Sequence, residues 1–261
     1  MSANKDLMEL QRKERLGKIG YNNLGTKMKI IEYNNAKDIV VEFQDKHKIK
    51  VKTRYECFTD GRVLSPYDKT VYNIGYIGVG KYNHFDYPKI YSVWNDMLKR
   101  CYNPYWINKH LTYINCHVCE EWHCFQNFGR WYEENYYNYN NERMNLDKDI
   151  LIKGNKIYSP ETCVFVTERI NKLFVKSDKT RGEYPIGVKY SKSKKMLDVC
   201  CNTDGRIKYL GQFPIDKPFQ AFTAYKIFKE NYIKEVANEY KDLIPEKLYN
   251  AMMNYVVEIN D

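Results

Sequence analysis

Hydrophobic and polar residues alternate with a period of two over residues 28–33, 39–43 and 49–53. Each segment is short and is bounded by turns rich in Asn, Asp or Gly, which predicts three β-strands. Residues 55–63 are expected to add a fourth strand, and a short polar helix is expected at 6–16. The N-terminal part of the chain is therefore predicted to form a small β-sheet or barrel.

The spacing of the hydrophobic residues changes to three and four in the middle of the chain. Residues 90–101 carry such a stripe, which predicts an amphipathic helix, and a second helix is expected around 125–132. A glycine-rich connector at 74–81 precedes them. Farther along, residues 145–147 and 163–166 are expected to be strands, separated by a polar loop and followed by a helix.

The alternation returns near the end of the chain, at 186–190, 196–201 and 207–213, with a tight turn at Asp204-Gly205. These segments predict a three-stranded antiparallel sheet. A helix with Asp216 as its N-cap and Pro218 in its first turn is expected to pack on the sheet. Its apolar face is expected to be formed by Phe219, Phe222, Tyr225 and Phe228 or Lys229, with Ala221 and Ala224 allowing close approach. Further helical turns are expected to about residue 252. The charged segment 176–183 is a candidate linker.

Composition narrows the class of protein. The mean hydropathy is −0.69, and no apolar run is long enough to span a membrane, so a soluble protein in the cytoplasm is expected. The charged first residues lack the apolar core of a secretory signal. The formal net charge of +9 and the 25 tyrosines favour a polyanionic partner such as nucleic acid, with a plain solvated surface as the alternative. Eight cysteines in such a chain indicate reduced thiols or metal ligands.

Residues 145–173 resemble the ββα-metal core of HNH endonucleases, in the form found in phage and intron-encoded homing enzymes. The resemblance implies that Asp147 and Asn171 hold one divalent ion, Mg²⁺ or Mn²⁺. Lys148 stands where the family has its general-base His, and Thr162 stands where it has a loop-fixing Asn. An ordinary lysine stays protonated at neutral pH, so Lys148 could serve as a base only if burial or the metal lowered its pKa. Beside Asp147 and Asp149 it is instead expected to stay charged and to contact phosphate or stabilise developing negative charge.

The order of landmarks before that core supports the same family. It runs W-x-x-M-x-x-R-C at 94–101, C-x-E-W at 119–122 and F-x-x-F at 125–128, which is similar to the segment preceding the core in many phage proteins. The resemblance therefore covers about residues 87–176. The pair Cys116-x-x-Cys119 has metal-ligand spacing and could complete a zinc site with Cys101, Cys163, His123 or Cys124. The alternative, which we favour, is that these cysteines are small buried apolar residues.

The C-terminal segment resembles the DNA-binding domain of plant ethylene-response factors, through Gly187-Val188, Leu210-Gly211-x-Phe213 and Ala221-x-x-Ala224-Tyr225. Phage homing endonucleases carry the same module behind an HNH core. The resemblance implies that the sheet enters the major groove of double-stranded DNA. The residues implied to contact DNA are Lys189, Tyr190, Lys192, Lys194, Lys195, Arg206 and Lys208. Lysines contact phosphates as point charges, so modest sequence selectivity is expected.

Together these patterns predict an α+β protein of three modules: a small β domain (1–85), an HNH-like ββα-metal domain (86–178) and a sheet-plus-helix DNA-binding domain (182–261). The predicted function is a metal-dependent, homing-type DNA endonuclease that nicks or cleaves. One alternative is a DNA-binding protein on the same scaffold that lost catalysis with its His, acting as a regulator or an antagonist of host defence. A weaker alternative is an inhibitor that binds a host protein. No membrane partner is expected.

Overall fold

The protein is a mixture of helices and small antiparallel sheets, as the predicted α+β class requires. A computed structural model describes residues 2–140, 142–175, 183–259 and 261. The chain divides into two compact units, Met1–Trp131 and Tyr132–Asp261. The predicted linker at 176–183 lies almost wholly outside the described residues, and the three-module division stays a prediction. None of the described helices is long and apolar enough to cross a membrane.

The first unit begins with a helix and a four-stranded antiparallel sheet. The elements are α1 (Ser2–Arg15), β1 (Ile19–Tyr21), β2 (Lys27–Asn35), β3 (Asp38–Phe43) and β4 (Lys50–Thr53), and the strands lie in chain order. Buried and more exposed positions alternate along β2 and β3, so Met28, Ile30, Ile39, Val41 and Phe43 fill one core. The three strands expected from the period of two are present.

The fourth strand expected before residue 63 is wrong, because this segment begins with helix α2 (Tyr55–Thr59). The Tyr55 N–H donates to the Ala36 carbonyl oxygen at 2.9 Å, which fixes the start of the turn. Phe58 is 3% exposed, and a Cβ at Gly20 would lie only 2.8 Å from its ring. Burial of Phe58 in the core of the sheet therefore overrides the β preference of the aromatic residues.

The remainder of the first unit is helical. The bounds are α3 (Pro88–Tyr102), α4 (Pro104–Lys109), a 3-10 turn (Leu111–Tyr113), β5 (His117–Val118), a second 3-10 turn (Glu120–His123) and α5 (Phe125–Asn135). The buried Trp94 centres this core, since its Nε1 donates to the Trp122 carbonyl oxygen at 2.7 Å and its ring lies 5.2 Å from that of Phe125. Both predicted helices are thus present, and the division between the two units falls inside α5.

The glycine-rich segment 74–81 is fastened by one buried side chain, Gln126. Its Nε2 donates to the carbonyl oxygens of Ile77 at 3.0 Å and Tyr82 at 2.7 Å, and its Oε1 accepts from the Tyr82 N–H at 2.9 Å. A Cβ at Gly80 would collide with the same side chain. Glycine is therefore required here for close approach, and the predicted connector is a fixed part of the fold.

The second unit contains a strand–strand–helix motif. Its elements are β6 (Met144–Asp147), β7 (Ile157–Tyr158), β8 (Val164–Thr167) and α6 (Glu168–Leu173). β6 and β8 pair antiparallel, with Asp147 opposite Val164 and Met144 opposite Thr167. Thr167 caps α6, because its Oγ1 accepts from the Ile170 N–H at 3.3 Å. These elements lie close to the positions expected from the sequence.

A three-stranded antiparallel sheet and two helices complete the second unit. The bounds are β9 (Val188–Ser191), β10 (Met196–Thr203), β11 (Arg206–Phe213), α7 (Pro218–Glu239) and α8 (Glu246–Met253), with β10 in the centre of the sheet. The first half of α7 packs on the sheet through Ala221, Phe222 and Tyr225. Its second half packs with Val164, Val166 and Ile170 of the strand–strand–helix motif. One helix of 22 residues therefore belongs to both cores of this unit.

The start of α7 differs from the expectation in two details. The N-cap is Lys217 rather than Asp216, because Pro218 takes the first helical position and leaves Asp216 one residue too early to cap it. Phe219 is 68% exposed and so lies outside the apolar face, whereas Phe222, Tyr225 and the close-approach residue Ala221 are buried as predicted. Glycine at 187 is required because its φ is +77° and a Cβ there would overlap the Tyr225 ring.

Candidate functional site

Asp147 ends β6 and turns one carboxylate oxygen back to the main chain that follows. Its Oδ1 accepts from the N–H groups of Asp149 at 2.9 Å and Ile150 at 2.8 Å. Burial, and to a lesser extent the charge of Asp149, raise the pKa of Asp147 to about 6. The two hydrogen bonds and the charge of Lys148 lower this pKa, but by less. No hydrogen bond to Oδ2 is found among the described residues. Such a carboxylate oxygen, on a half-buried residue, is the kind of hard donor that Mg²⁺ and Mn²⁺ prefer.

Lys148, which stands at the position of the family's base, is buried and is 7% exposed. Its Nζ donates to the Asn155 carbonyl oxygen at 3.0 Å, pairs with Asp149 Oδ2 at 3.2 Å and lies 5.9 Å from the Tyr158 ring centroid. A carbonyl, a carboxylate and an aromatic ring therefore surround the side-chain nitrogen. This arrangement suits the expected role of Lys148 as a source of positive charge.

Asn155 is a residue of this site that the sequence analysis missed. Its Nδ2 donates to the carbonyl oxygens of Lys148 at 2.6 Å and Ile157 at 2.7 Å, and its Oδ1 accepts from the Ile157 N–H at 3.2 Å. One amide thereby joins the two ends of the loop after Asp147. The Gly154-Asn155 pair was a turn signal in the sequence, but it did not show that the side chain would bridge the loop.

Thr162 fixes the next turn. Its Oγ1 donates to the Ile157 carbonyl oxygen at 2.7 Å and lies 3.1 Å from Ser159 Oγ, which belongs to a buried residue. Ile157 therefore receives hydrogen bonds from both Asn155 and Thr162. The carbonyl of Ile157 is the point at which the loop and the turn are held together.

Asn171 lies on α6, between the buried positions Ile170 and Leu173, and is half-buried. No side-chain hydrogen bond of Asn171 is found in the described part of the chain, and none joins it to Asp147. An amide oxygen and a carboxylate oxygen are both hard donors of the kind that a divalent ion which keeps several waters prefers. Within the described ranges no group of three or more His, Cys, Asp or Glu is placed to hold a metal.

The loop after Asp147 is also tied to the last described residues of the chain. Lys153 Nζ donates to the Val256 carbonyl oxygen at 2.9 Å and to Asp261 Oδ2 at 2.7 Å, and it pairs with Glu258 at 3.1 Å. Asp261 is buried. The loop is therefore held at its base by Asn155 and at its tip by Lys153.

The four cysteines of the predicted zinc site carry thiols. Cys101, Cys116 and Cys163 are buried and Cys119 is half-buried, as expected for small apolar residues. The Cys116 thiol contacts the Thr112 carbonyl oxygen at 3.8 Å. The pKa of His123, a further candidate ligand, is lowered by burial, and its Nε2 lies 3.1 Å from the Val118 carbonyl oxygen. The zinc site stays a prediction.

The face of the three-stranded sheet that points away from α7 carries Lys189, Asp198, Tyr209 and Gln212. Asp198 lies opposite Lys189 on β9 and Gln212 on β11. It accepts from Gln212 Nε2 at 2.7 Å and pairs with Lys194 at 3.7 Å. The exposed turn that follows β9 carries Lys192, Lys194 and Lys195. This face therefore has a rim of lysines around one central carboxylate.

The seven residues implied to contact DNA do not all share that face. A β-bulge between Val199 and Cys200 shifts the register of β11, so Lys208 lies opposite the buried Cys201. Lys208 Nζ accordingly lies over the ring of Phe228 on α7, at 4.8 Å. Tyr190, opposite the buried Leu197, also packs with the core on the α7 side. Arg206 lies two residues before Lys208 on β11 and therefore shares its face of the sheet. The bulge could not be seen in the sequence pattern.

Comparison with family models, with curated proteins and with solved structures found no match to this chain.

Proposed function

We propose that the protein is a DNA-binding endonuclease that uses one divalent metal ion. The observation that carries the proposal is the position of Asp147, a half-buried carboxylate at the end of β6 in a strand–strand–helix motif, whose two main-chain hydrogen bonds both go to Oδ1. Such a carboxylate, next to a second one at Asp149, has a cost for folding that the charge of Lys148 offsets only in part. A divalent ion would supply further positive charge.

The residues of the site have separate tasks in this proposal. Asp147 and Asn171 hold the ion, which when bound polarises the scissile phosphate and activates water. Lys148 keeps a positive charge beside the phosphate and stabilises the negative charge that develops on it. Asn155 and Thr162 act as positioning residues, because they fix the loop and turn around the site without an ionisable group of their own.

DNA is held by the lysine-rimmed face of the three-stranded sheet. Lys189 lies on that face, and Lys192, Lys194 and Lys195 lie in the exposed turn that follows β9. Lysines of this kind contact phosphates and release counterions, which gives affinity without strong base preference. The sheet would then position the duplex, and the metal site would cut it.

A second candidate is a DNA-binding protein that does not cut. It is favoured by Lys148, which stands in place of a base and has its Nζ engaged by Asn155 and Asp149. In that case the strand–strand–helix motif would act as a scaffold, and DNA binding would not depend on a metal.

Relaxation of supercoiled plasmid separates the two candidates. Purified protein is incubated with Mg²⁺ or Mn²⁺ on plasmid DNA and on DNA from the genome that encodes it. We expect nicked or linear product that disappears with EDTA and with Asp147→Ala. Asp216→Asn, which removes an exposed carboxylate elsewhere in the same unit, should cut like the wild type.

The opposite result is equally clear. A gel shift of both DNAs that persists in EDTA, with both DNAs left intact, would reject the nuclease and support the binding protein. Cutting by Asp147→Ala equal to that of the wild type would reject the metal site.

A further inference from the structure

A short surface segment of the first unit combines aromatic rings and cations in a way that the proposed nuclease does not use. Between Asp96 and Glu120 the chain has no acidic residue, while Lys99, Arg100 and Lys109 are basic. The segment contains the C-terminal end of α3, all of α4 and the following 3-10 turn. It is therefore a stretch of 23 residues whose formal charges are all positive.

Neither α4 nor the 3-10 turn has a fully buried residue. Tyr105 is 68% exposed, and the apolar side chains of Leu111 and Ile114 are also exposed. A six-residue helix is not stable by itself, so it needs support from its ends. That support comes from Asn103, whose Oδ1 accepts from the Trp106 N–H at 3.0 Å, and from Pro104 at the first helical position. The sequence thus builds a helix that displays the ring of Tyr105, whereas Trp106 is half-buried.

Each aromatic ring of this segment has a cationic or imidazole neighbour. Lys109 Nζ lies 4.2 Å over the Tyr105 ring, and Arg100 lies 5.9 Å from the Tyr113 ring. The Trp106 ring has Lys99 Nζ at 4.6 Å and stacks with His110 at 4.2 Å. The ring of Tyr105 is the most exposed of these and has a cation fixed beside it, so a stacked group and a neighbouring anion could be bound together.

We propose that this Tyr105 surface, formed by Lys99, Arg100, Tyr105, Trp106, Lys109 and Tyr113, binds single-stranded nucleic acid. Unpaired bases stack on exposed aromatic side chains, and the phosphates between them contact the adjacent lysines and arginine. In a duplex the base faces are already covered, so the exposed ring of Tyr105 adds nothing to duplex binding. An acidic protein segment would match the charge but would leave the exposed ring without a specific partner, so we favour the nucleic acid.

This inference goes beyond the proposed cutting of duplex DNA and rests only on the assumption that the natural ligand is nucleic acid. The test uses full-length protein in EDTA and fluorescein-labelled oligothymidine and oligouridine of about 16 nucleotides, with a duplex of equal length. We expect Tyr105→Ala to weaken binding of the single strand by about tenfold. Binding of the duplex should not change. The thymidine and uridine arms show whether DNA or RNA is the preferred single strand.

Two controls keep the result specific. Tyr105→Phe keeps the ring and should keep most of the affinity, and Tyr21→Ala removes an equally exposed tyrosine from β1 and should have no effect. Equal binding by wild type and Tyr105→Ala, or equal loss in Tyr21→Ala, would overturn the proposal, as would the absence of single-strand binding by the wild type. Because no cleavage is measured, an inactive metal site would leave the result intact.

Discussion

Arg169 on α6 binds Asp204, at the tip of the β10–β11 hairpin, through two parallel hydrogen bonds. Arg169 Nε lies 2.9 Å from Asp204 Oδ1, and the Nη2 atom lies 3.0 Å from Oδ2. Arg169 also pairs with Glu239 at the end of α7, and its guanidinium lies 5.6 Å from the Tyr240 ring. The pKa of Asp204 is lowered, mainly by this arginine. The helix of the proposed metal site and the sheet proposed to bind DNA are therefore fixed to each other within the second unit.

We expect Arg169→Met to lower the free energy of unfolding by about 1 kcal/mol, since the pair is partly exposed and screened by solvent. Arg169→Lys should recover little of this free energy of unfolding, because an ammonium group cannot bind the carboxylate at two points. Lys172→Met removes an exposed pair with Glu168 on the same helix and is the matched control. Urea unfolding of the three variants measures the effect, and an equal loss in Lys172→Met would show that the bidentate geometry is unimportant.

The two faces of the sheet predict different effects on DNA binding. Lys189 lies on the outer face opposite Asp198, whereas Lys208 lies over Phe228 on the side of α7. Lys189→Ala should weaken duplex binding and reduce the slope of log affinity against log salt by about 1. Lys208→Ala should leave both nearly unchanged. Fluorescence anisotropy at several salt concentrations checks this, and a larger effect of Lys208→Ala would place DNA on the other face.

The loop after Asp147 depends on the two donors of Asn155. Asn155→Ala leaves the carbonyl oxygens of Lys148 and Ile157 without these hydrogen bonds, and we expect a loss of about 1–3 kcal/mol in the free energy of unfolding. Asn155→Asp keeps the shape of the side chain but places a carboxylate against two carbonyl oxygens. It should therefore be no more stable than Asn155→Ala. Thermal unfolding is the measurement, and wild-type stability in Asn155→Asp would mean that these bonds contribute nothing.

Part of this fold follows from local pattern, and part does not. The strands β2 and β3 were predictable because every second side chain is buried, and α3 because Trp94, Met97 and Leu98 repeat at helical spacing. The helix at 55–59 was not, because only the packing of Phe58 in the sheet core selects it. Strict alternation backwards from the partly buried Phe213 would place Lys208 on the outer face, and the bulge at Val199/Cys200 reverses this.

The site shows the same limit. Asp147, Lys148 and Thr162 were named from the resemblance, and the structure places them in one connected loop and turn. Asn155 was missed because its partners are main-chain atoms, which leave no pattern in the sequence. A polar residue in a loop becomes predictable only when its partner is known.

Lys229 gives a pH-dependent prediction. Burial lowers the pKa of this lysine on α7, while Cys201 opposes the shift. The unfolded chain then binds more protons than the folded one between the lowered pKa and the ordinary value of 10.5, so stability should rise with pH across that window. Lys229→Met should be more stable than the wild type near neutral pH and should lose this rise. Urea unfolding from neutral to alkaline pH tests both, and a less stable Lys229→Met would contradict the prediction.

Asp147 is the residue at which stability and function should oppose each other. Its pKa of about 6 lies above the ordinary 3.8, so the folded protein holds a proton that the unfolded chain releases. In EDTA, the wild type should therefore lose stability as the pH rises from about 4 to about 6, by roughly 1–3 kcal/mol. Asp147→Asn keeps an oxygen for the N–H groups of Asp149 and Ile150 and removes the charge, so it should be the more stable protein near neutral pH.

The metal reverses this order if the proposed site is correct. An ion that binds the folded state alone stabilises it by mass action, so Mn²⁺ should raise the melting temperature of the wild type at neutral pH and leave Asp147→Asn unchanged. Asn171→Ala should also lose the response to Mn²⁺ but should keep the pH dependence, because it leaves the carboxylate of Asp147 in place. A response to Mn²⁺ that survives in both variants would place the ion elsewhere. A wild type with no dependence on pH between about 4 and 6 would show that the carboxylate of Asp147 is hydrated and ionises normally.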